Sequence, residues 1–264
     1  IWVGKSPVSN LPIAGPHQMT DWRRKLETAR ERLHSHGLLG LMLHYADRLY
    51  SRTRKKKQDT EWLAHKERVD RLFDNKYDID TRGITQLEKL QIAGRNRMYG
   101  VAHIASDPDE FSEALGSLQI KHEDFIFIDL GSGKGRALLL ALRFPFRRII
   151  GVEFALELHR VAQANLIRVG ATGTDVNRIG LVHADATEFE LPPEPAVIYL
   201  YNPFNDLVMN GVIEGVLRSH GEHPRPMYII YANPFLERLW IDRGFVVPKR
   251  GNTFSILCPP VTAS

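Results

Sequence analysis

From residue 121 onward, short apolar runs alternate with amphipathic stretches. Phe125 to Asp129 is an apolar run bounded by the polar His122–Asp124 and by glycine, the pattern of a strand buried on both faces. Arg136–Leu142 follows it, rich in Ala and Leu, and reads as helix. Further strands are predicted at Arg147–Phe154, Ile179–Ala184, Ala196–Tyr201 and Met227–Tyr231, with helices at Leu156–Val169, Leu207–Ser219 and Pro234–Ile241. Phe245–Val247 and Thr253–Leu257 form a terminal hairpin in this reading. Ahead of the first strand, Asp107 caps a helix that starts at Pro108 and runs through Leu118. The expected fold class is therefore α/β: a Rossmann-like, mostly parallel seven-stranded sheet with helices on both faces.

The pattern before residue 121 is different. Residues 1–19 carry Pro7, Pro12 and Pro16 and read as an irregular arm. Helices are expected from Trp22 to Gly37, from Leu38 to Tyr50 and from Trp62 to Phe73, with a polar, loop-rich stretch from Tyr77 to Gly100. This divides the chain into a basic helical N-terminal extension over 1–76, a lead-in over 77–120, and a nucleotide-type domain over 121–264. Charge follows the same division. Residues 1–100 hold 20 Lys and Arg against 12 Asp and Glu, whereas residues 101–264 hold 15 against 19. Within the basic half, Arg52–Lys57 is a cluster with three readings: a solvated helix end, weak contact with an anionic surface, or nucleic-acid contact.

Bulk composition narrows the class. A chain of 264 residues with 43% hydrophobic and 25% charged residues is globular rather than disordered. Cys258 is the single cysteine, which precludes an internal disulfide and suits a reducing, cytoplasmic setting. No apolar run reaches the roughly 20 residues of a membrane helix. None of the 11 histidines has paired metal-ligand spacing, so no metal site is expected, and no GxSxG elbow is present.

The candidate chemistry starts at the turn Gly131-Ser132-Gly133-Lys134-Gly135, between the first strand and its helix. Strand, glycine turn and helix together can aim backbone N–H groups at one small ligand. A phosphate-binding P-loop would need Ser or Thr after Lys134, where Gly135 stands. A dinucleotide turn needs GxGxxG, and here the third glycine comes one residue early. Glu153 closes the second strand, placed either to accept from ribose hydroxyls or simply as a surface acid. Asp185 closes the third, as a base-binding acid or as a helix cap. The fourth strand runs into Tyr201-Asn202-Pro203-Phe204 and the fifth into Tyr231-Ala232-Asn233-Pro234-Phe235.

An acid directly before GxGxG resembles the first motif of the class I S-adenosylmethionine (SAM) methyltransferases. The set DLGSGKG, GVEF, DATEF and VIYLYNPF, covering Phe125 to Phe204, also resembles the non-SET histone-lysine methyltransferases. The overall pattern is similar to uncharacterised bacterial class I members, reaching back to about Tyr77. The resemblance implies SAM as cofactor, held by Asp129, Gly131, Ser132, Gly133, Gly135, Glu153, Phe154, Asp185, Ala186 and Asn202. In it Asp129 meets the ammonium, Glu153 the ribose and Asp185 the adenine, with Lys134 or Arg136 near the carboxylate.

Tyr201-Asn202-Pro203-Phe204 resembles the Asn/Asp-Pro-Pro-Tyr/Phe motif of enzymes that methylate planar nitrogens, with one proline instead of two. It implies Asn202 and Tyr201 as the catalytic pair, with Tyr201 and Tyr231 walling the methyl group. Asn202-Pro203 as a plain strand-ending turn is the alternative. Tyr99 and His103 are candidates for a lid or for packing on the sheet. The implied activity is methyl transfer to an acceptor the sequence does not identify, with nitrogen slightly favoured. An NAD-type oxidoreductase and a non-catalytic module that binds SAM or nucleic acid are the rival classes.

Overall fold

The computed structural model describes residues 60–83, 104–201 and 204–260. The expected arm, the helices within 20–50, the Arg52–Lys57 cluster, Tyr99, His103, Asn202 and Pro203 lie outside the described residues. The chain divides into two compact units, 1–63 and 64–264, and the sheet belongs to the second. No helix among the described residues is long and apolar enough to cross a membrane.

The strands are β1 (Ile126–Leu130), β2 (Ile149–Glu153), β3 (Ile179–His183), β4 (Ala196–Tyr201), β5 (Met227–Ala232), β6 (Val246–Arg250) and β7 (Phe254–Cys258). They form one seven-stranded sheet in the order β3-β2-β1-β4-β5-β7-β6, in which β7 alone runs antiparallel to its neighbours. This order, with its reversal between β1 and β4, is the Rossmann-like, doubly wound arrangement expected from the sequence. The helices are α1 (60–77), α2 (Pro108–Gly116), α3 (Arg136–Ala141), α4 (Leu156–Ala171), α5 (Asp206–Glu222) and α6 (Glu237–Ile241). Asp107 caps α2 as expected, accepting from the N–H groups of Asp109 and Glu110. The edge strand β6 carries Pro248, Lys249 and Arg250, which discourage pairing with another sheet.

Alternation along the strands splits the core into two faces. Phe127, Ile149, Val197, Tyr199, Ile230 and Phe254 pack on one side, with Phe111, Leu115 and Leu138. Ile128, Val152, Ile198, Tyr231 and Leu257 pack on the other, with Val212, Ile213 and Trp240. On the first face, the Phe111 ring meets Tyr199 at 5.0 Å and Phe127 at 5.8 Å, both edge-on, and seats α2 across β1 and β4. On the second, Trp240 and Phe245 meet edge-on at 4.9 Å and hold α6.

A buried ionic network ties the second half of α1 to α3. Arg136, 2% exposed, pairs with Asp70 through Nη1 and with Asp74 through Nη2 at 3.2 Å. Its Nε donates to Thr81 Oγ1 at 2.7 Å, and its guanidinium lies over the Phe73 ring at 4.8 Å. Asp74 also accepts from the N–H groups of Thr81 and Arg82, both at 2.9 Å, while Lys66 pairs with Asp70. Removing one partner from such a network strands an uncompensated charge. Arg136→Met should therefore destabilise the protein by about 3–5 kcal/mol, read as a lowered urea midpoint.

Candidate functional site

The glycine turn follows β1 and closes onto β2. Gly131, Gly133 and Gly135 have φ of 88°, 54° and 87°, a left-handed backbone that other residues adopt only with strain. The N–H groups of Gly131 and Ser132 both donate to the Val152 carbonyl, at 2.9 and 3.0 Å. The Gly133 N–H donates to Glu153 Oε2 at 2.8 Å, and the Gly135 N–H to the Ser132 carbonyl at 2.8 Å. This corrects the expectation that the turn aims its N–H groups at a ligand: these four are spent within the protein. With α3 only six residues long, its dipole adds little.

Close approach also explains a glycine inside β2. A Cβ on Gly151 would fall 2.5 Å from Leu138 Cδ1 and 2.9 Å from Ser132 Oγ. Gly151→Ala must therefore displace the turn. The expected result is a loss of about 1–3 kcal/mol in stability, together with weakened ligand binding in a thermal-shift titration.

Two acids stand beside the turn. Asp129, at the end of β1, is 4% exposed; Glu153, at the end of β2, is also 4% exposed. Burial, then the negative Glu153, pushes Asp129 well above the usual carboxylate range. Burial also raises Glu153, opposed by N–H donors from Ala155, Gly133 and Phe154. Glu153 thus clamps the turn as well as lining it, accepting from Ala155 N–H through Oε1 at 2.8 Å. The Ser132 hydroxyl is buried with no hydrogen-bond partner among the described residues.

Lys134 and Arg136 have other work than the one expected. Lys134 Nζ pairs with Asp80 at 2.9 Å and donates to the Arg82 carbonyl at 3.0 Å, while Arg136 is held in the buried network. The sequence reading also passed over Asn165. Its amide donates to the carbonyls of Asp80 and Lys134, at 2.8 and 3.0 Å, and it accepts from Asp80 N–H at 3.0 Å. It thereby stitches the 78–83 loop to the turn. An Asn in line with Leu158, Ala162 and Val169 on the buried face of α4 was the available signal.

At the outer strands, Asp185 Oδ1 accepts from the Thr187 N–H and hydroxyl, at 2.9 and 2.8 Å, which is a turn-capping role. Ala186 and Phe154 are half-buried at the same edge, where His183 Nε2 donates to the Phe154 carbonyl at 3.0 Å. Tyr201 ends β4 on the face of Asp129, and burial pushes its hydroxyl up to about 12. Tyr231 does not join it. That ring is fully buried on the opposite face, and its hydroxyl accepts from Leu236 N–H at 3.3 Å, so the paired-tyrosine wall is not formed. Among the described residues no group of three or more His, Cys, Asp or Glu is placed to hold a metal ion.

Solved structures with a similar fold include three methyltransferases. A SAM-dependent O-methyltransferase from Thermotoga maritima is 17% identical, with 61% of this chain and 68% of that one covered and a TM-score of 0.46. A precorrin-6y C5,15-methyltransferase from Geobacter metallireducens is 16% identical, with 66% and 97% covered and a TM-score of 0.45. An RNA methyltransferase from Salinibacter ruber, in complex with S-adenosylhomocysteine, is 15% identical, with 61% and 97% covered and a TM-score of 0.44. No protein-family model and no curated protein matches the chain.

The buried acids carry a pH signature. A carboxyl whose folded pKa is raised binds its proton more readily in the folded state than in the unfolded one. Its penalty is absent below the unfolded carboxylate range, grows as pH rises toward the raised folded value, and is constant above it. Asp129→Asn should flatten that decline and raise the stability of the unliganded protein at neutral pH by about 1–2 kcal/mol. Urea denaturation across pH 4 to 8, at roughly unit intervals, reads both effects.

Proposed function

We propose that this protein is a SAM-dependent methyltransferase. The observation that carries the reading is the character of the turn: four of its five N–H donors are spent within the protein, and two buried carboxylates stand beside it. Such a site repels a pyrophosphate, which needs N–H donors and positive charge, and favours a ligand that is cationic and rich in donors. SAM has both properties, with an ammonium, a sulfonium and two ribose hydroxyls. A dinucleotide instead brings a doubly negative pyrophosphate to this turn, so the oxidoreductase reading is disfavoured on electrostatic grounds.

In this reading Asp129 receives the ammonium directly or through water, and Glu153 adds ribose hydroxyls to the N–H groups it already accepts. Gly131, Gly133 and Gly135 let the ligand approach the backbone closely, and the Ser132 hydroxyl supplies an unspent donor. Phe154, Asp185 and Ala186 flank the adenine. Bound SAM supplies an electrophilic methyl group, and the protein's share of the catalysis is orientation and exclusion of water. Asn202 and Tyr201 are assigned to the acceptor. The acceptor is unidentified, with nitrogen favoured over oxygen.

Titration calorimetry tests the assignment. The chain should bind SAM and S-adenosylhomocysteine in preference to NAD or NADH. Asp129→Asn should weaken SAM about ten-fold or more, the size of one charge-assisted hydrogen bond. Preference for the nicotinamide cofactor, or undiminished SAM binding by both Asp129→Asn and Glu153→Ala, would sink the reading.

A further inference from the structure

The segment over 64–83 is attached to the domain mainly through polar groups. Six of its residues are buried, and four of these are Lys66, Asp70, Asp74 and Thr81. Phe73 and Ile79 are the other two, and both join the apolar core. An ion-paired network fixes register and adds little net stability, so this segment is set in place more than it is held fast. The loop over 78–83 has left-handed φ at both ends, 50° at Asp78 and 90° at Gly83. Between those bends it is tied down by side chains distant in sequence. Asp80 is held by Asn165 and Lys134, and Thr81 by Arg136.

These ties converge on the glycine turn. Asn165, 1% exposed on α4, spends its whole amide here: its oxygen accepts from the Asp80 N–H, and its nitrogen donates to the Asp80 and Lys134 carbonyls. The Lys134 carbonyl belongs to the same peptide group whose N–H, on Gly135, closes the turn onto Ser132 at 2.8 Å. Hydrogen bonds at the two ends of one peptide group strengthen each other. Three residues earlier on α4, Ala162 lies so near the turn that a Cβ on Gly135 would fall 3.3 Å from its own. From the other side, Glu153 Oε2 accepts from the Gly133 N–H. The turn is therefore gripped at Gly133 by an acid of the proposed cofactor site, and at Lys134 by the residue that seats the loop. Displacing the loop releases Lys134, and with it the neighbouring donor that orients Glu153.

We propose that Asn165 and Thr81 are positioning residues of the cofactor site: by seating the 78–83 loop they hold the glycine turn in the shape that presents Glu153 and Asp129 to the ligand. This rests on the reading given under Proposed function and goes beyond it, since it ties ligand affinity to two residues outside the set that holds the ligand. Thr81 is fully buried, and its hydroxyl joins the two halves of the network, accepting from Arg136 Nε at 2.7 Å and donating to Asp74. Coupling of this kind is reciprocal. A seated loop that favours the ligand is itself favoured, by the same factor, once the ligand is bound.

Calorimetry and hydrogen exchange on the full chain test this, with S-adenosylhomocysteine as the probe. Asn165→Ala and Thr81→Val should each weaken its binding about ten-fold, a usual size for coupling between sites. Thr81→Ser keeps the hydroxyl and should bind as the unmodified protein does. Trp240→Phe opens a cavity on the opposite face of the sheet and controls for lost stability alone. At a temperature where every variant is folded, it should leave the affinity unchanged. In the unmodified protein, bound S-adenosylhomocysteine should slow exchange at the amides of Asp80, Thr81 and Arg82 about ten-fold. Unchanged affinity in both Asn165→Ala and Thr81→Val overturns the proposal, as does an equal loss in Trp240→Phe or unaltered exchange over 78–83. Should Asn165→Ala fail to fold, Thr81→Val and the exchange of the unmodified protein still decide. Failure of S-adenosylhomocysteine to bind the unmodified protein overturns the SAM reading itself, and this one with it.

Discussion

Everything at this site follows from how a five-residue turn satisfies its own backbone. A peptide N–H buried without a partner is costly, so four residues of the turn, Gly131, Ser132, Gly133 and Gly135, give their N–H groups to the Val152 carbonyl, to Glu153 and to the turn itself. That bonding requires left-handed backbone at three positions and draws Ser132 against β2 so closely that only glycine fits at 151. It leaves Asp129 and Glu153 as the two buried acids beside the turn. A phosphate-binding turn does the reverse, offering its donors outward. The electrostatic sign of the site is thus decided by backbone bookkeeping as much as by the acids.

Two buried carboxylates side by side reduce the stability of the empty protein, and a cationic ligand relieves that cost. The Arg136 network works differently. Each of its charges is matched, by Asp70, Asp74 and Lys66, and by donors from Thr81 and Arg82. Such a network contributes little net stability compared with apolar packing, but it allows only one seating of the 78–83 loop against α3 and the turn. Asn165 and Lys134 complete that seating from the other side. The segment ahead of the sheet is in this way built against the glycine turn.

Methyl transfer asks for alignment more than for acid or base strength. In the proposed reaction the sheet would provide it by setting β1 and β4 side by side at the reversal of strand order, so that Asp129, Tyr199 and Tyr201 share one face. α2, pinned by Phe111 and capped by Asp107, lies over that face. A single layer of aromatic packing therefore joins α2 to β1 and β4.

The sequence by itself determined the alternation of strands and helices, the capping of α2 by Asp107, and the acids at the ends of β1, β2 and β3. These are local properties: period, propensity and capping act over a few residues, so they can be read along the chain. It could not determine where polar atoms point. Lys134 and Arg136 looked available to a ligand carboxylate until Asp80, Asp70 and Asp74, 54 to 66 positions away, were folded against them. Tyr201 and Tyr231 occupied equivalent places in two similar strings, yet the two-residue repeat of adjacent strands sends them to opposite faces. The N–H groups of Gly131, Ser132 and Gly133 were just as ambiguous, because their acceptors lie on a neighbouring strand. Partners distant in sequence are chosen by packing, and only the tertiary structure made those choices.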